Sequence, residues 1–581
     1  MIDVQTALSS AFSAAIAAAL GNDYAGTDPV VRSSADASRG DWQANFAMSL
    51  AKRIGKPPRA VAEAVMAELK LGDMVQSVEI AGPGFVNIRL SDAFLSRSLG
   101  AIAADPRKGV PEATRKDMVA VDYSAPNVAK EMHVGHIRST IIGDAISRVL
   151  AFQGHTVLRR NHLGDWGTQF GQLIEHMVDE GLDSVGEHAI GDLNELYRAS
   201  KVKFDADPGF AERARKRVVA LQSGDAETLR LWRALIAESK RHFAKIYKQL
   251  GVLLDEGDYY GESFYNDMLG PTAEELASSG VAVMSDGALC LFPEGFKGRE
   301  GEPVPLIVKK SDGGYGYDTT DLAAIRHRIR DLGCTRMVYV TDSRQKQHFD
   351  MIFAGARMAG WLKDGIVAEH TPFGAILGED GKPFKTRAGD TVRLTDLIDE
   401  ALKRAFDIVS EKSPQLPEVE RRSIAQAIGI GALKYADLSN DRIKDYVFSW
   451  ERMLAFDGNT APYLQNAYVR IKGIFRKATD AGVTPAQGPI ALGAPEERAL
   501  AVEILRFTDA VDQVSRSLEP HRLCTYLYGL ASLFHGFYEK CPVMSATDPE
   551  LKRQRLALCG VVADTLALGL SLLGIEVMDQ M

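Results

Sequence analysis

The sequence predicts an α/β, multidomain chain, with a parallel-sheet domain in the middle, an α+β module before it and an all-α C-terminal domain after it. Three observations predict this. Short apolar runs alternate with helical periodicity between about 117 and 400, Gly82-Pro83-Gly84 separates two strand-like runs near the start, and the pattern after Leu394 is helical almost to the end. A chain of 581 residues also exceeds what one hydrophobic core serves, so several domains are expected.

From Val4 to about Lys70 helical patterns alternate with breaks at Gly21–Asn22 and Gly55–Pro58, and Val75–Ile80 and Phe85–Leu90 then flank the Gly-Pro-Gly turn. Asp105-Pro106 to Pro111 reads as a linker, which places the first module at 1–116. Met118–Tyr123 reads as a buried strand, followed by a loop and a helix starting near His133, in which Ile137, Ile141, Ala145, Val149 and Phe152 recur at helical spacing and Gly154 is the stop. Thr156–Arg159 and Met337–Thr341 are further strands of a parallel sheet spanning 117–400, interrupted by a charged, irregular insertion at about 175–300. A helical connecting segment, 401–455, and a helical domain, 456–581, complete the chain, with breaks at Ser413–Pro417 and Pro485–Pro495.

Composition excludes several classes. Hydrophobic residues at 46% and charged residues at 25% match ordinary globular proteins rather than disordered ones. Cys290, Cys334, Cys524, Cys541 and Cys559 lie far apart with no CxxC pair, so neither a structural metal nor a disulfide framework is expected, and a reducing cytoplasm is. The Ala-rich start carries Asp3 and no Lys or Arg before Arg32, unlike a targeting segment. Leu566–Ile575 is too short to span a bilayer and reads as a buried helix, so no membrane role is expected. A net charge of −9 gives no overall attraction to nucleic acid, so such a partner must be held by local basic surfaces.

The most informative segment runs from Asp122-Tyr-Ser-Ala-Pro-Asn127-Val-Ala-Lys130 to His133-Val-Gly135-His136-Ile-Arg138. In the order strand, loop, helix, it places a helix N-terminus at the carboxyl edge of the sheet, where free N–H groups and the positive dipole end suit an anion such as a triphosphate. His133 and His136 can donate to phosphate oxygens, and Gly135 lets a nucleotide approach the backbone. An isolated HxGH is weak, and two solvated histidines would explain it as well.

The whole run resembles the HIGH signature of class I aminoacyl-tRNA synthetases, and its flanks resemble the arginine enzymes: Ser124 to Lys130 before it, Arg138 to Asp144 and Arg160-Asn-His-Leu-Gly164-Asp165-Trp166 after it. The resemblance implies a Rossmann-like catalytic domain, an N-terminal domain touching the tRNA elbow and a C-terminal anticodon-binding domain. It implies ligation of L-arginine to tRNA through an arginyl-adenylate, with ATP as co-substrate and Mg²⁺ on its phosphates, by a monomer with no DNA partner. His133 and His136 would stabilise the α-phosphate; His133, Gly135, His136, Lys382, Lys385 and Arg387 would hold ATP. The usual KMSKS signature is missing, and Lys130 would supply its charge.

By the same resemblance Ala125, Asn127, His136, Tyr317, Asp321 and Gln345 would hold arginine, with Asp321 on the guanidinium, a group that needs a carboxylate because it never loses its charge. Phe85 and Asn87 would meet the tRNA elbow, while Tyr463, Tyr538 and Met581 would receive anticodon bases. For Phe85 a place in the strand's core is an equal expectation. A non-catalytic tRNA-binding paralogue, a class I synthetase for another amino acid and a small-molecule nucleotidylyltransferase stay open.

Overall fold

The computed structural model describes residues 3–34, 36–182, 193–384 and 392–581. The chain divides into two units. One comprises Met1–Glu112, Ala455–Leu572 and Glu576–Met581; the other comprises Ala113–Leu454 with Leu573–Ile575.

The N-terminal module opens with α1 (Val4–Leu20), where the Asp3 carboxylate accepts from the Thr6 amide at 3.1 Å as its cap. Strands β1 (Val31–Ser33) and β2 (Trp42–Ala44), helices α2 (Phe46–Ile54) and α3 (Pro58–Glu68), strands β3 (Val75–Ala81) and β4 (Phe85–Leu90), and helix α4 (Asp92–Ala104) follow. The strands form an antiparallel sheet in the order β1-β2-β4-β3. The hairpin is the expected one. At three residues each, β1 and β2 are too short for alternation to register in sequence.

In the second unit β5 (Met118–Asp122), α5 (Val134–Phe152) and β6 (Thr156–Arg160) lead into α6 (Gln169–Asp179), α7 (Leu193–Ala206), α8 (Pro208–Gln222), α9 (Ala226–Leu250) and α10 (Asn266–Ser278). An antiparallel sheet of β7 (Val283–Ser285), β8 (Ala288–Leu291) and β9 (Leu306–Lys309) comes next. The stretch expected to be irregular at about 175–300 is therefore mostly helical. Dense charge hid its apolar stripe: along α9, Leu231, Leu235, Phe243, Ile246 and Leu250 are buried at helical spacing between charged residues. Glu175 on α6 accepts from Arg213 at 2.7 Å and Arg217 at 3.0 Å, both on α8, so much of that charge is internal pairing.

The chain returns through α11 (Tyr317–Arg330), β10 (Arg336–Tyr339), α12 (Lys346–Met358) and β11 (Val367–His370). The sheet order is β11-β10-β5-β6, with every pairing parallel. Leu322, Ile325, Met337, Tyr339, Ile352 and Phe353 form the core where α11 and α12 cover β10. Since β6 lies on one side of β5 and β10 on the other, the strand order reverses between β5 and β10. Crevices in open α/β sheets form at such a reversal, outside the carboxyl ends of the strands. β12 (Ile376–Leu377), α13 (Leu394–Lys412), α14 (Glu418–Leu438), β13 (Tyr446–Val447) and α15 (Trp450–Met453) complete the unit.

The C-terminal bundle contains α16 (Ala461–Asp480), α17 (Pro495–Leu505), α18 (Phe507–Ser517), α19 (His521–Lys540) and α20 (Pro549–Leu572). Helix α20 begins well before the expected Leu566 and is long and apolar enough to cross a membrane, but Leu556, Leu558, Val562, Leu566 and Leu570 are buried in the bundle. This bundle shares one unit with the N-terminal module. Arg498 on α17 donates to Asp41 at 3.0 and 2.8 Å and to Asp92 at 3.0 Å. Near it, a Cβ on Gly100 would stand 2.2 Å from the Gly488 carbonyl, so only glycine permits that approach.

Candidate active site

Three helix N-termini gather at the carboxyl edge of the parallel sheet. Helix α5 follows β5, α12 follows β10, and α11 runs back toward the start of β10, which puts its own first turn at the same edge. The loop after β6 joins them: Val128 donates to the Gly164 carbonyl at 3.0 Å, and Gly164 to the Pro126 carbonyl at 3.2 Å.

His133 is the N-cap of α5 rather than part of its first turn. Its Nδ1 accepts from the Gly135 amide at 3.0 Å, while the His133 amide donates to Nδ1 of His136 at 3.1 Å. A ring whose Nδ1 accepts carries its proton on Nε2, so both imidazoles offer an Nε2–H outward. Burial and the nearby Lys130 ammonium lower the His133 pKa; burial, His133 and Lys130 lower that of His136 to about 3. Both rings are neutral donors at pH 7. The expectation of free amides at this helix start is corrected, because Val134 donates to the Val392 carbonyl at 2.9 Å and His136 to that of His133 at 2.8 Å. The histidine rings take the place of those amides. A Cβ on Gly135 would lie 2.8 Å from Cε1 of His133, so glycine is needed here for the capping ring.

The loop before α5 is strained. Ser124, Ala125 and Ala129 all have positive φ, at 71°, 46° and 62°. Buried side chains hold it: the Ser124 amide donates to Ser139 Oγ at 2.8 Å, the Ala125 amide to Asn161 Oδ1 at 2.9 Å and the Ala129 amide to Ser239 Oγ at 3.0 Å. Ala125 is left with its carbonyl to offer. The exposed Asn127 packs on Gly164, where a Cβ would stand 2.3 Å from Asn127 Oδ1. Lys130 Nζ lies 4.6 Å over the Tyr197 ring of α7.

Tyr317 begins α11 and is 67% exposed; the exposed Gln345 caps α12. Asp321, one turn into α11, meets His348 of α12, with 2.6 Å between its Oδ2 and Nε2. Two residues that the sequence reading missed stand here. His348 is one, and it also lies 3.5 Å from Asp318 through Nδ1. Glu262 is the other: burial raises its carboxyl to about 7, aided by the charges of Asp165 and Asp321. Its turn is pinned by the loop after β6, through Glu262 N to the Leu163 carbonyl at 3.0 Å. Nothing in sequence marks Glu262 within a charged stretch, whereas His348, three residues after Gln345, carried a positional signal.

The described residues on either side of the basic segment bond to α5 and to the loop that leads into it. Arg138 donates to the Gly374 carbonyl at 2.8 Å and pairs with the buried Asp437 at 3.0 Å. Beyond the segment, Leu394 donates to the Met132 carbonyl at 2.9 Å. Lys382 is exposed in a turn closed by Gly378 N to its carbonyl at 2.8 Å, while Lys385 and Arg387 lie outside the described residues.

In the other unit, Val86, Ile88 and Leu90 are buried, so Phe85 and Asn87 alternate onto the opposite face of β4; the core placement for Phe85 is thereby corrected. Gln43 donates to Asn87 Oδ1 at 2.8 Å. On the bundle, Tyr463 lies 4.8 Å from the His535 ring, and Arg470 stands 5.7 Å over Tyr538. Met581 follows Asp579, which Lys472 approaches at 3.2 Å further along α16.

Comparison with known proteins places these features. The family model for the catalytic domain of class I (R) tRNA synthetases matches residues 99–450, the DALR anticodon binding domain 464–581, and the arginyl tRNA synthetase N terminal domain 6–90. The chain is 52% identical to the arginine–tRNA ligase of Thermobifida fusca over 584 aligned residues, covering 100% of each. Among solved structures it resembles the arginyl-tRNA synthetases of Plasmodium falciparum (TM-score 0.86, 30% identity) and Thermus thermophilus (TM-score 0.83, 25% identity), with 100% of each chain covered. A catalytic-domain match over most of the second unit, together with full-length relatives at this identity, is decisive: the chain belongs to the arginyl family of class I tRNA synthetases.

Proposed function

We propose that this protein ligates L-arginine to its tRNA, with ATP as co-substrate, through an arginyl-adenylate. The observation that carries the reading is an acidic socket beside a neutral-imidazole pair. Asp321 and Glu262 offer carboxylates to a guanidinium, with the exposed Tyr317 and Gln345 at the starts of α11 and α12, while His133 and His136 offer Nε2–H donors to phosphate oxygens at the same sheet edge. The Ala125 carbonyl and the Asn127 side chain suit the ammonium end of the amino acid.

The arginine carboxylate attacks the α-phosphorus and pyrophosphate leaves. The tRNA ribose hydroxyl then takes the arginyl group and AMP departs, a sequence that depends on positioning rather than on a side-chain nucleophile. Neutral histidines stabilise charge on the α-phosphate without first having to lose a proton. Lys130, Lys382, Lys385 and Arg387 assist at the leaving pyrophosphate, which the bonds from either side of the basic segment to α5 and its loop support. Magnesium neutralises phosphate charge when bound.

Phe85 and Asn87 meet the tRNA elbow, and Tyr463, Tyr538 and Met581 the anticodon; the outward face of β4 and the aromatic–arginine cluster on the bundle support this. The division at 1–116, 117–400, 401–455 and 456–581 follows the same assignment of roles. Five free, buried cysteines support a cytoplasmic, reducing setting, and the protein acts as a monomer.

Pyrophosphate exchange with ATP and each of the twenty amino acids, with and without tRNA, tests the reading. Exchange with arginine alone is expected, and only when tRNA is present. Exchange with another amino acid, or tRNA binding without any exchange, would refute it.

A further inference from the structure

His348 is not accounted for by the chemistry above. It stands in the first turn of α12, across from the first turn of α11, and each of its ring nitrogens faces a carboxylate: Nε2 meets Asp321 Oδ2 at 2.6 Å, and Nδ1 faces Asp318 Oδ1 at 3.5 Å. Asp318 is held from its other side, where Oδ2 accepts the Ile307 amide at 3.3 Å. Tyr317 and Phe349 enclose the imidazole, their ring centroids each 5.2 Å from it. Among the described residues no hydrogen bond reaches Oδ1 of Asp321.

We infer that His348 is a specificity-determining positioning residue: a fixed cation that clamps one oxygen of Asp321, stands between the charges of Asp318 and Asp321, and leaves the other Asp321 oxygen to the guanidinium. This deepens the arginine-site reading and rests on it. Two nitrogens facing two carboxylates must both carry protons to satisfy them. Burial alone would favour the neutral ring, but the hydrogen bonds and charges of Asp318 and Asp321 outweigh it and raise the group to about 9. The charged groups facing the ring are Asp318 and Asp321 on α11, and the neighbouring Tyr317 phenol is itself raised by Asp318. On α12 the nearby Lys346 is turned to Asp350, at 2.5 Å.

Without the imidazolium, carboxylates one helical turn apart would repel with nothing between them, and Asp321 would lose the partner that holds its direction. Clamping also turns a freely rotating carboxylate into an acceptor of fixed direction, which suits a planar fork of donors better than a rotating ammonium.

The test compares His348→Gln, whose amide can still donate to Asp321 but carries no charge, with His348→Ala, using tRNA-dependent pyrophosphate exchange between pH 6 and 10. For the parent, KM for arginine is expected to rise above pH 9 more steeply than in the Ala variant, because the ring loses its proton as well as the substrate's own ammonium. At pH 7.5 the Gln variant should raise KM for arginine about tenfold and the Ala variant about a hundredfold, a tenfold step being 1.36 kcal/mol. KM for ATP should stay within about twofold and kcat within about threefold, and both variants should show only the shallower alkaline rise of the substrate ammonium, all within the scale of a charged hydrogen bond. Equal KM for arginine in parent and variants, a parallel rise in both KM values, or an alkaline rise as steep in the Ala variant as in the parent would overturn the inference. A parent that shows no arginine-dependent exchange would instead overturn the arginine-site reading itself.

Discussion

Asp165 accepts two hydrogen bonds from Ser263, at 2.8 Å from its amide and 2.7 Å from its hydroxyl, and so fixes the turn on which Glu262 stands. A Cβ on Gly261 would come within 2.0 Å of the same carboxylate, so the two elements meet without slack. Replacing Asp165 by Ala releases that turn. The expected outcome is a rise in KM for arginine of about tenfold to a hundredfold, the scale of ~1.5–3 kcal/mol for a charged hydrogen bond, with KM for ATP changed less than about twofold. Steady-state pyrophosphate exchange checks it.

Glu262 stores a conflict between stability and function. In the fold its carboxyl is raised to about 7 by burial, Asp165 and Asp321, above the ordinary 4.5. The folded chain therefore keeps a proton that the unfolded chain has already released. The stability this group contributes is full below pH 4.5 and is lost as the pH rises through 7. Glu262→Gln should raise the Tm at pH 8 by ~2 °C or more while leaving that at pH 5 nearly unchanged. Its arginine affinity should collapse, because the socket needs the charge. In the parent, kcat/KM for arginine should fall about tenfold per unit below pH 7, and that acid limb should be missing from the Gln variant. The histidines give no such limb near pH 6.5, since His136 is held at about 3 and His133 is also lowered.

Three of the four parallel strands, β5, β6 and β10, were legible in the sequence as short runs with apolar centres, and α5 through the helical spacing of Ile137, Ile141, Ala145 and Val149, whereas β11, Val-Ala-Glu-His, was not, because half of it is polar. Asp321 and the histidine pair were legible because they sit in contiguous motifs. Glu262 was not: its role comes from the distant Asp165 and from burial, and neither leaves a local mark. The occupied amides at Val134 and Gly135 were equally hidden, since one is taken by Val392, far along the chain, and the other by a ring that folds back from His133.

Gly135→Ala would place a methyl group 2.8 Å from Cε1 of His133. The ring must move, and with it the reciprocal cap that holds both Nε2–H donors outward. We expect kcat to fall by about a hundredfold, comparable to losing one preorganised donor, with little change in far-ultraviolet circular dichroism or in KM for arginine.

Arg498 offers a test of how the N-terminal module is held to the bundle. Asp41 is only 3% exposed, and its carboxylate accepts from Arg498 as well as from the Leu90 amide at 2.8 Å. Arg498→Ala strands that charge, which should lower stability to denaturant by ~3–5 kcal/mol in the transition reported by Trp42 fluorescence. Asp41→Asn added to the same chain should recover part of the loss, because the stranded group is then neutral. A midpoint unmoved by Arg498→Ala would show that the apolar contacts alone hold the module.

The outward face of β4 gives the last prediction. Phe85 and Asn87 share that face, and Gln43 of β2 is hydrogen-bonded to Asn87 at 2.8 Å, so a flat aromatic ring and two amides stand together on one half-buried surface. An unpaired base can stack on the ring and bond to the amides without disturbing the buried Val86 and Ile88. Phe85→Ala should therefore raise the Kd for tRNA by about fivefold to a hundredfold, the ~1–3 kcal/mol of one base–aromatic stack, with the effect resting on the RNA rather than on salt. Asn87→Ala should weaken binding less, since Gln43 remains beside it. Pyrophosphate exchange at saturating tRNA should be unchanged in both variants, because the alternation along β4 leaves the core side of the strand intact. Unchanged tRNA binding by filter retention in the Phe85 variant would assign this ring to the packing of the module rather than to RNA.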